Sequence, residues 1–259
     1  MREYLIAGNW KMNLGRTESV YLARELAGKI PAHDAVETVL IPTFVHLDAV
    51  HQAIASSALK LGAQDVYHEK KGAFTGEISP AMLKEVGVQF VLVGHSERRH
   101  ILGETDALLN QKTLAAIAEG LTVVLCVGET LRERQSHQTN EVVARQLAGG
   151  LAKVGSDMVQ RRRLVIAYEP VWAIGTGLTA TPQQAQAVHS FIRQRLTDLY
   201  GTSLAQTIRI QYGGSVRKAN AADLLAEADI DGLLVGGASL AADEFADIVR
   251  AAEQVKGKK

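Results

Sequence analysis

Short apolar runs recur eight times along this chain, with helix-forming sequence after them. That alternation limits the fold more than any other feature. The runs are Tyr4–Gly8, Val36–Ile41 (stopped by Pro42), Lys60–Gln64, Phe90–Gly94, Thr122–Val127, Arg163–Ala167, Ile208–Gln211 and Asp231–Val235, the third being the weakest. They are continuous rather than alternating, which is the pattern of strands buried on both faces in a parallel sheet. Between them come helix signals. One begins at Thr17-Glu18, with Val20, Leu22, Ala23, Leu26 and Ala27 near helical spacing, and another runs from Leu47 to Ile54. Ser79-Pro80 and Thr181-Pro182 each place a cap residue before a proline that suits the first helical position. Further helices are expected over about Thr105–Ala118 with Gly120 ending it, through a charge-rich stretch to about Val154, and from Thr181-Pro182 to about Tyr200. The last two are expected around Ala221–Ala226 and Ala241–Glu253, with the Lys- and Gly-rich tail after Arg250 fraying. No linker or composition shift divides the 259 residues. The expected fold is a single α/β domain over 1–259, a (β/α)8 barrel of eight parallel strands inside a ring of helices. A doubly wound open sheet is the alternative that periodicity alone leaves standing.

Charge and cysteine content narrow the function. Lys+Arg and Asp+Glu each number 28, so the chain lacks the basic surface that nucleic acid or an anionic membrane selects. Small anions remain possible, since they need only a few local donors. Cys126 is the one cysteine; no intrachain disulfide can form, and a reducing, cytoplasmic setting fits. No apolar run approaches the ~20 residues of a membrane helix, and no secretory signal is expected. Walker, H-E-x-x-H and Cys/His metal spacings are missing, so neither metal nor cofactor is implied.

In parallel α/β folds the site lies beyond the carboxyl ends of the strands. That rule selects Asn9 and Lys11, His95 and Glu97, Glu129, Glu169, Ser215, Gly236 and Gly237. Glu169 follows the sixth run and opens a loop, Pro170 to Thr179, with Trp172 and a glycine-rich tip: a carboxylate fixed at a strand end with a lid behind it. Gly213-Gly214-Ser215 and Gly236-Gly237 follow the seventh and eighth runs, where barrel loops often bind phosphate through backbone N–H groups. Lys11 would pair with an anion or form a Schiff base. His95 lies at a helix N-terminus, which is expected to depress its pKa and favour a neutral imidazole. Glu97, Glu104 and Glu129 read best as partners of nearby arginines such as Arg98 and Arg99, and Cys126 as a core thiol. Gly175-Thr176-Gly177-Leu178-Thr179-Ala180 matches a dinucleotide fingerprint, with Asp198 about twenty residues on. The helix signal comes after its glycines and Asp198 falls within a helix, so the context fails.

Together, Asn9–Asn13, Val93–Arg99, Ala167–Gly177, Tyr212–Val216 and Gly236–Ala238 resemble the motifs of the triosephosphate isomerase family, in order and across nearly the whole chain. The resemblance implies a TIM barrel that interconverts dihydroxyacetone phosphate and glyceraldehyde 3-phosphate through an enediolate, a family mechanism that is a standard case of tuned acid–base catalysis. It implies Glu169 as base, neutral His95 as the group that polarises the carbonyl, and Lys11 as the positive charge, with Asn9 beside it. Gly175, Ser215, Gly236 and Gly237 would hold the phosphate, and Glu97 would support the site from behind. It also implies a homodimer in which the loop Gly72–Glu77 inserts into the partner, with Thr75 near the partner's site. Two departures stand out: Leu178 where the family usually has lysine at the rear hinge of the lid, and Ser136-His137-Gln138 in place of a frequent Gly-Lys. Rival readings are another phosphate-binding barrel, such as a Schiff-base aldolase acting through Lys11, and a non-catalytic metabolite-binding barrel.

Overall fold

The computed structural model describes residues 2–160, 163–175 and 177–257. Eight parallel strands close on themselves in sequence order: β1 (Tyr4–Asn9), β2 (Val36–Ile41), β3 (Lys60–Ala63), β4 (Phe90–Val93), β5 (Thr122–Val127), β6 (Leu164–Tyr168), β7 (Arg209–Tyr212) and β8 (Gly232–Val235). β8 returns to pair with β1, Gly232 beside Leu5 and Val235 beside Gly8. The closed (β/α)8 barrel is therefore the fold, and the open sheet is ruled out.

Burial explains why the strands read as unbroken apolar runs. Leu5, Ala7, Val39, Ile41, Phe90, Leu92, Val124, Cys126, Val165, Ala167 and Leu234 form one cluster. Their immediate neighbours, Tyr4, Ile6, Leu40, Val91, Val123, Leu125, Ile166 and Leu233 among them, belong to a second cluster that includes helix residues. Strand side chains alternate between faces, so one set fills the barrel and the other packs outward on the helices. Cys126 is fully buried in the inner set, and burial pushes its thiol pKa well up. It is a core group, as its apolar surroundings predict.

The same parity aims the strand ends. Positions 5 and 7 lead to Asn9, and positions 165 and 167 lead to Glu169, both buried at the mouth. His95 is one residue off this parity. Gly94, at φ +74, makes the left-handed turn that redirects the chain there, a conformation open to glycine at little cost.

Helix boundaries follow the caps. The side chains of Ser79, Thr105, Thr130 and Thr181 accept from backbone N–H groups at the starts of helices Pro80–Glu85, Asp106–Glu119, Leu131–Gln135 and Pro182–Tyr200. The charge-rich region before Val154 is broken rather than continuous: Leu131–Gln135 ends and Thr139–Gly150 begins. Between them His137 adopts φ +58, a left-handed conformation in a residue with a Cβ. The last helix extends past Arg250, where the sequence places the start of the tail. Helix Ala242–Lys256 persists because Phe245, Ala246, Ile248, Val249 and Ala252 are buried along one side. Lys256 Nζ donates to the Arg2 carbonyl and sits 4.6 Å over the Tyr4 ring. Asp198 lies inside helix Pro182–Tyr200, paired with Arg195, so the dinucleotide pattern has no acidic group at a strand end.

Candidate active site

A cavity of about 590 Å³ occupies the carboxyl end of the barrel. Asn9, Lys11, His95, Glu169, Gly175, Ser215, Gly236 and Gly237 all line it, so residues separated by more than two hundred positions meet there. Glu97 is not part of this lining and reaches it through Lys11 and His95. Thr176, in the lid tip, is outside the described residues.

Lys11 is set by its backbone. It has φ +53, an uncommon state for a residue with a side chain and one often found at functional sites. Asn9 Oδ1 accepts from its N–H at 3.0 Å, and Gln64 Nε2 donates to its carbonyl at 2.7 Å. Gln64 is not among the sequence candidates because the third run reads as ending on it; β3 stops at Ala63, and with that end the strand-end rule selects Gln64. Lys11 Nζ donates to Glu97 Oε1 at 2.6 Å. Its Cε lies 3.6 Å from where a Cβ on Gly236 would be, placing the stem over the glycine-lined end of the cavity. Glu97 therefore pairs with Lys11, rather than with Arg98 or Arg99. Glu104 does pair with Arg98, at 2.8 Å.

His95 and Glu169 face one another. His95 caps helix Ser96–His100, and its Nδ1 accepts from Glu97 N–H at 3.3 Å. In a neutral ring this leaves the proton on Nε2, which sits 3.0 Å from Glu169 Oε1. Glu169 Oε2 accepts from Ser96 N–H at 3.0 Å. Burial opposes charge on both groups most strongly. Their mutual attraction and hydrogen bonds still leave the His95 pKa raised and the Glu169 pKa lowered. The expected depression of His95 thus fails here for a definite reason: the carboxylate pressed on Nε2 outweighs both burial and the helix N-terminus.

The loop after β6 is rooted on a carboxylate. Glu129 is fully buried and receives Trp172 Nε1 at 2.9 Å, Tyr168 Oη at 3.1 Å and Arg134 at 3.2 Å. Arg134 also stacks 4.7 Å from the Trp172 ring. Glu129 is thus structural, as the sequence suggests. That its partners anchor this loop was not legible, because they come from three separate elements. Leu178 is half exposed.

The glycine-lined end of the cavity is built from backbone. β8 runs into the 3-10 turn Gly237–Leu240, whose first N–H groups have no acceptor within the turn. Gly213 is needed for close approach: a Cβ there would lie 2.9 Å from Glu169 Cγ. Among the described residues no cluster of His, Cys, Asp or Glu could hold a metal ion, and no helix is long and apolar enough to cross a membrane.

Comparisons with known proteins agree with this geometry. Residues 4–252 match the family model described as triosephosphate isomerase. The chain is 54% identical over 252 residues to a triosephosphate isomerase of Thiobacillus denitrificans, covering 97% of this chain and 99% of that one. It is 51% identical to one from Thermoanaerobacter pseudethanolicus (96% and 99% covered) and 49% identical to one from Rhodopirellula baltica (97% and 98%). A barrel with these strand-end residues, matched over nearly its whole length, belongs to the triosephosphate isomerase family.

Proposed function

We propose that the barrel mouth carries out the family's reaction, the interconversion of dihydroxyacetone phosphate and D-glyceraldehyde 3-phosphate through an enediolate, with Glu169 as the base. Taking a proton from a carbon next to a carbonyl requires a base at the carbon and a donor at the oxygen. Glu169 and His95 Nε2 are that pair, now 3.0 Å apart. Substrate seated between them gives Glu169 the carbon and Nε2–H the oxygen. Its entry also separates the carboxylate from the imidazole. What then remains at His95 is burial and the Glu97 N–H on Nδ1, which favour the neutral ring that a carbonyl-polarising donor needs; the Glu97 carboxylate, 3.4 Å from Nδ1, pulls the other way but more weakly than burial. Lys11 adds positive charge beside the developing oxyanion, with Asn9 fixing its turn and Glu97 its ammonium. Gly175, Ser215, Gly236 and Gly237 hold the phosphate. The lid rooted at Glu129 excludes water, which otherwise promotes loss of phosphate from the enediolate.

One observation carries this reading: the base, the imidazole and the glycine-built anion cradle line the same cavity. A coupled assay of triose phosphate interconversion tests it, with Glu169→Asp expected to lose roughly a hundredfold in kcat while folding normally. Unchanged turnover in that variant would remove Glu169 from its role. The aldolase reading has less support, since Lys11 Nζ is bound to a carboxylate; a borohydride-trapped adduct on Lys11 would reinstate it.

The chain is read as one catalytic domain, acting as a cytoplasmic homodimer. Met12 (92% exposed), Val45 (82%), Ile101 (77%) and Phe74 (39%) lie in the loops after β1 to β4. Consecutive strands are neighbours in the barrel, so these exposed apolar groups come from four adjacent connections at its mouth, and apolar groups gathered on one side of a molecule mark an interface. The loop bearing exposed Thr75 is pre-shaped, with Tyr67 N–H bonded to the Ile78 carbonyl at 2.8 Å and Phe74 packed 4.9 Å from the Tyr67 ring. Thr75→Arg is expected to convert the dimer to monomer in sedimentation. An unaltered dimer would move the interface elsewhere.

A further inference from the structure

Two rim charges beside the proposed phosphate cradle make no ion pair among the described residues. Arg217 and Glu244 line the barrel-mouth cavity, and both also line a hollow of about 510 Å³ just outside it. They therefore form the ridge between the anion cradle and solvent. The other charged groups in that hollow are paired: Lys218 Nζ lies 2.7 Å from Asp247, which also binds Arg250. Arg217 and Glu244 have no ion-pair partner among the described residues.

Arg217 is exposed, but its root is held. Its N–H donates to Asn220 Oδ1 at 2.9 Å, and Asn220 Nδ2 donates to the Ser215 carbonyl at 3.0 Å. Asn220 thereby locks the guanidinium's attachment point to the residue that faces the phosphate. Glu244 sits in the first turn of helix Ala242–Lys256, whose dipole welcomes an acid. For an incoming dianion the same acid is a repulsive charge at the entrance.

We propose that Arg217 and Glu244 are opposed capture charges, Arg217 drawing a phosphate dianion into the cavity and Glu244 holding it off. This rests on the phosphate-end reading of the site. Capture matters because triosephosphate isomerases are standard examples of enzymes near the diffusional ceiling, where long-range attraction changes rate directly. Neither residue touches the reacting carbons, so neither is expected to change kcat.

The test is kcat/KM for glyceraldehyde 3-phosphate against ionic strength, in the full chain and in Arg217→Gln, Arg217→Lys and Glu244→Gln. Arg217→Gln is expected to fall about threefold at ~0.01 M ionic strength and less than twofold at ~0.15 M. Arg217→Lys should recover it, and Glu244→Gln should rise by about two- to threefold at low salt. Turnover of neutral D-glyceraldehyde should not change. Equal salt slopes in Arg217→Gln and parent, shifts of the same sign in the two neutralised variants, or an equal loss on D-glyceraldehyde would each overturn the proposal. Affinity for inorganic phosphate is measured in parallel and should rank Glu244→Gln above parent above Arg217→Gln. A parent without triose phosphate turnover would overturn the functional reading alone, and the phosphate ranking would then decide the rim charges by itself.

Discussion

Gly128 sits where a single methyl group would strike the backbone of the proposed base. It follows β5, and its backbone is clamped by Gln146, whose Oε1 accepts from Gly128 N–H at 2.7 Å and whose Nε2 donates to its carbonyl at 3.1 Å. A Cβ built on Gly128 would lie 1.8 Å from the Glu169 carbonyl oxygen and 2.6 Å from its carbon, whereas real Cβ atoms keep at least 3.0 Å from such neighbours. In Gly128→Ala the Glu169 peptide must therefore retreat by at least 1.2 Å, the difference between those separations. Its anchor, Glu169 N–H on the Val127 carbonyl at 2.8 Å, moves with it. A displacement of ~1 Å at a catalytic group costs on the order of a hundredfold in rate, or about 2.7 kcal/mol of barrier. Gly128→Ala is expected to lose at least that much kcat in the coupled assay. Its affinity for inorganic phosphate should stay close to parent, because Gly236 and Gly237 belong to another strand end. The overpacking itself should cost about 1–3 kcal/mol in urea unfolding, which a barrel of this size tolerates. Gly28→Ala is the control: it lies in helix Arg16–Lys29, and nothing stands within 4 Å of the added methyl. It should gain about 0.5–1 kcal/mol with kcat unchanged. Parent-like kcat in Gly128→Ala would refute the argument that backbone position at Glu169 limits the reaction.

Other perturbations read different parts of the molecule. Lys112 is buried between Asp65, at 2.8 Å, and Glu104; Lys112→Met leaves two buried carboxylates with less positive charge and should cost about 3–5 kcal/mol in urea unfolding. A loss under 1 kcal/mol would show the network to be dispensable. Burial lowers the His189 pKa from 6.5 to about 4. The unfolded chain takes up that proton near pH 6.5 and the folded chain only near 4, so stability should decline by about 3 kcal/mol as pH falls through the window. His189→Gln should flatten the dependence, and a variant as pH-sensitive as the parent would contradict the assignment. His137→Gly relieves the left-handed strain at φ +58 and should add about 1 kcal/mol to stability with no effect on kcat; destabilisation would mean that its side chain matters more than its backbone.

By itself the sequence determined the strands, their burial on both faces and the rule that chemistry lies at their carboxyl ends. These are local properties. Apolar runs, caps and prolines act within a few residues, so β1, β2 and β5 could be read from the chain and the helix that breaks near His137 could not, since only packing decides whether a turn interrupts it. The lining of the barrel-mouth cavity was legible for the same reason: Asn9, Lys11, His95, Glu169, Ser215, Gly236 and Gly237 all sit at strand ends. What each of them touches was decided by closure of the barrel. Closure brings β8 against β1 and sets the Lys11 stem over Gly236. It presses Glu169 onto His95 strongly enough to reverse the expected direction of the imidazole's pKa, and it assembles Glu129, Arg134, Tyr168 and Trp172 into the root of the lid. Electrostatic and hydrogen-bond energies change over distances of an ångström, and such distances between residues far apart in the chain exist only once the fold has formed.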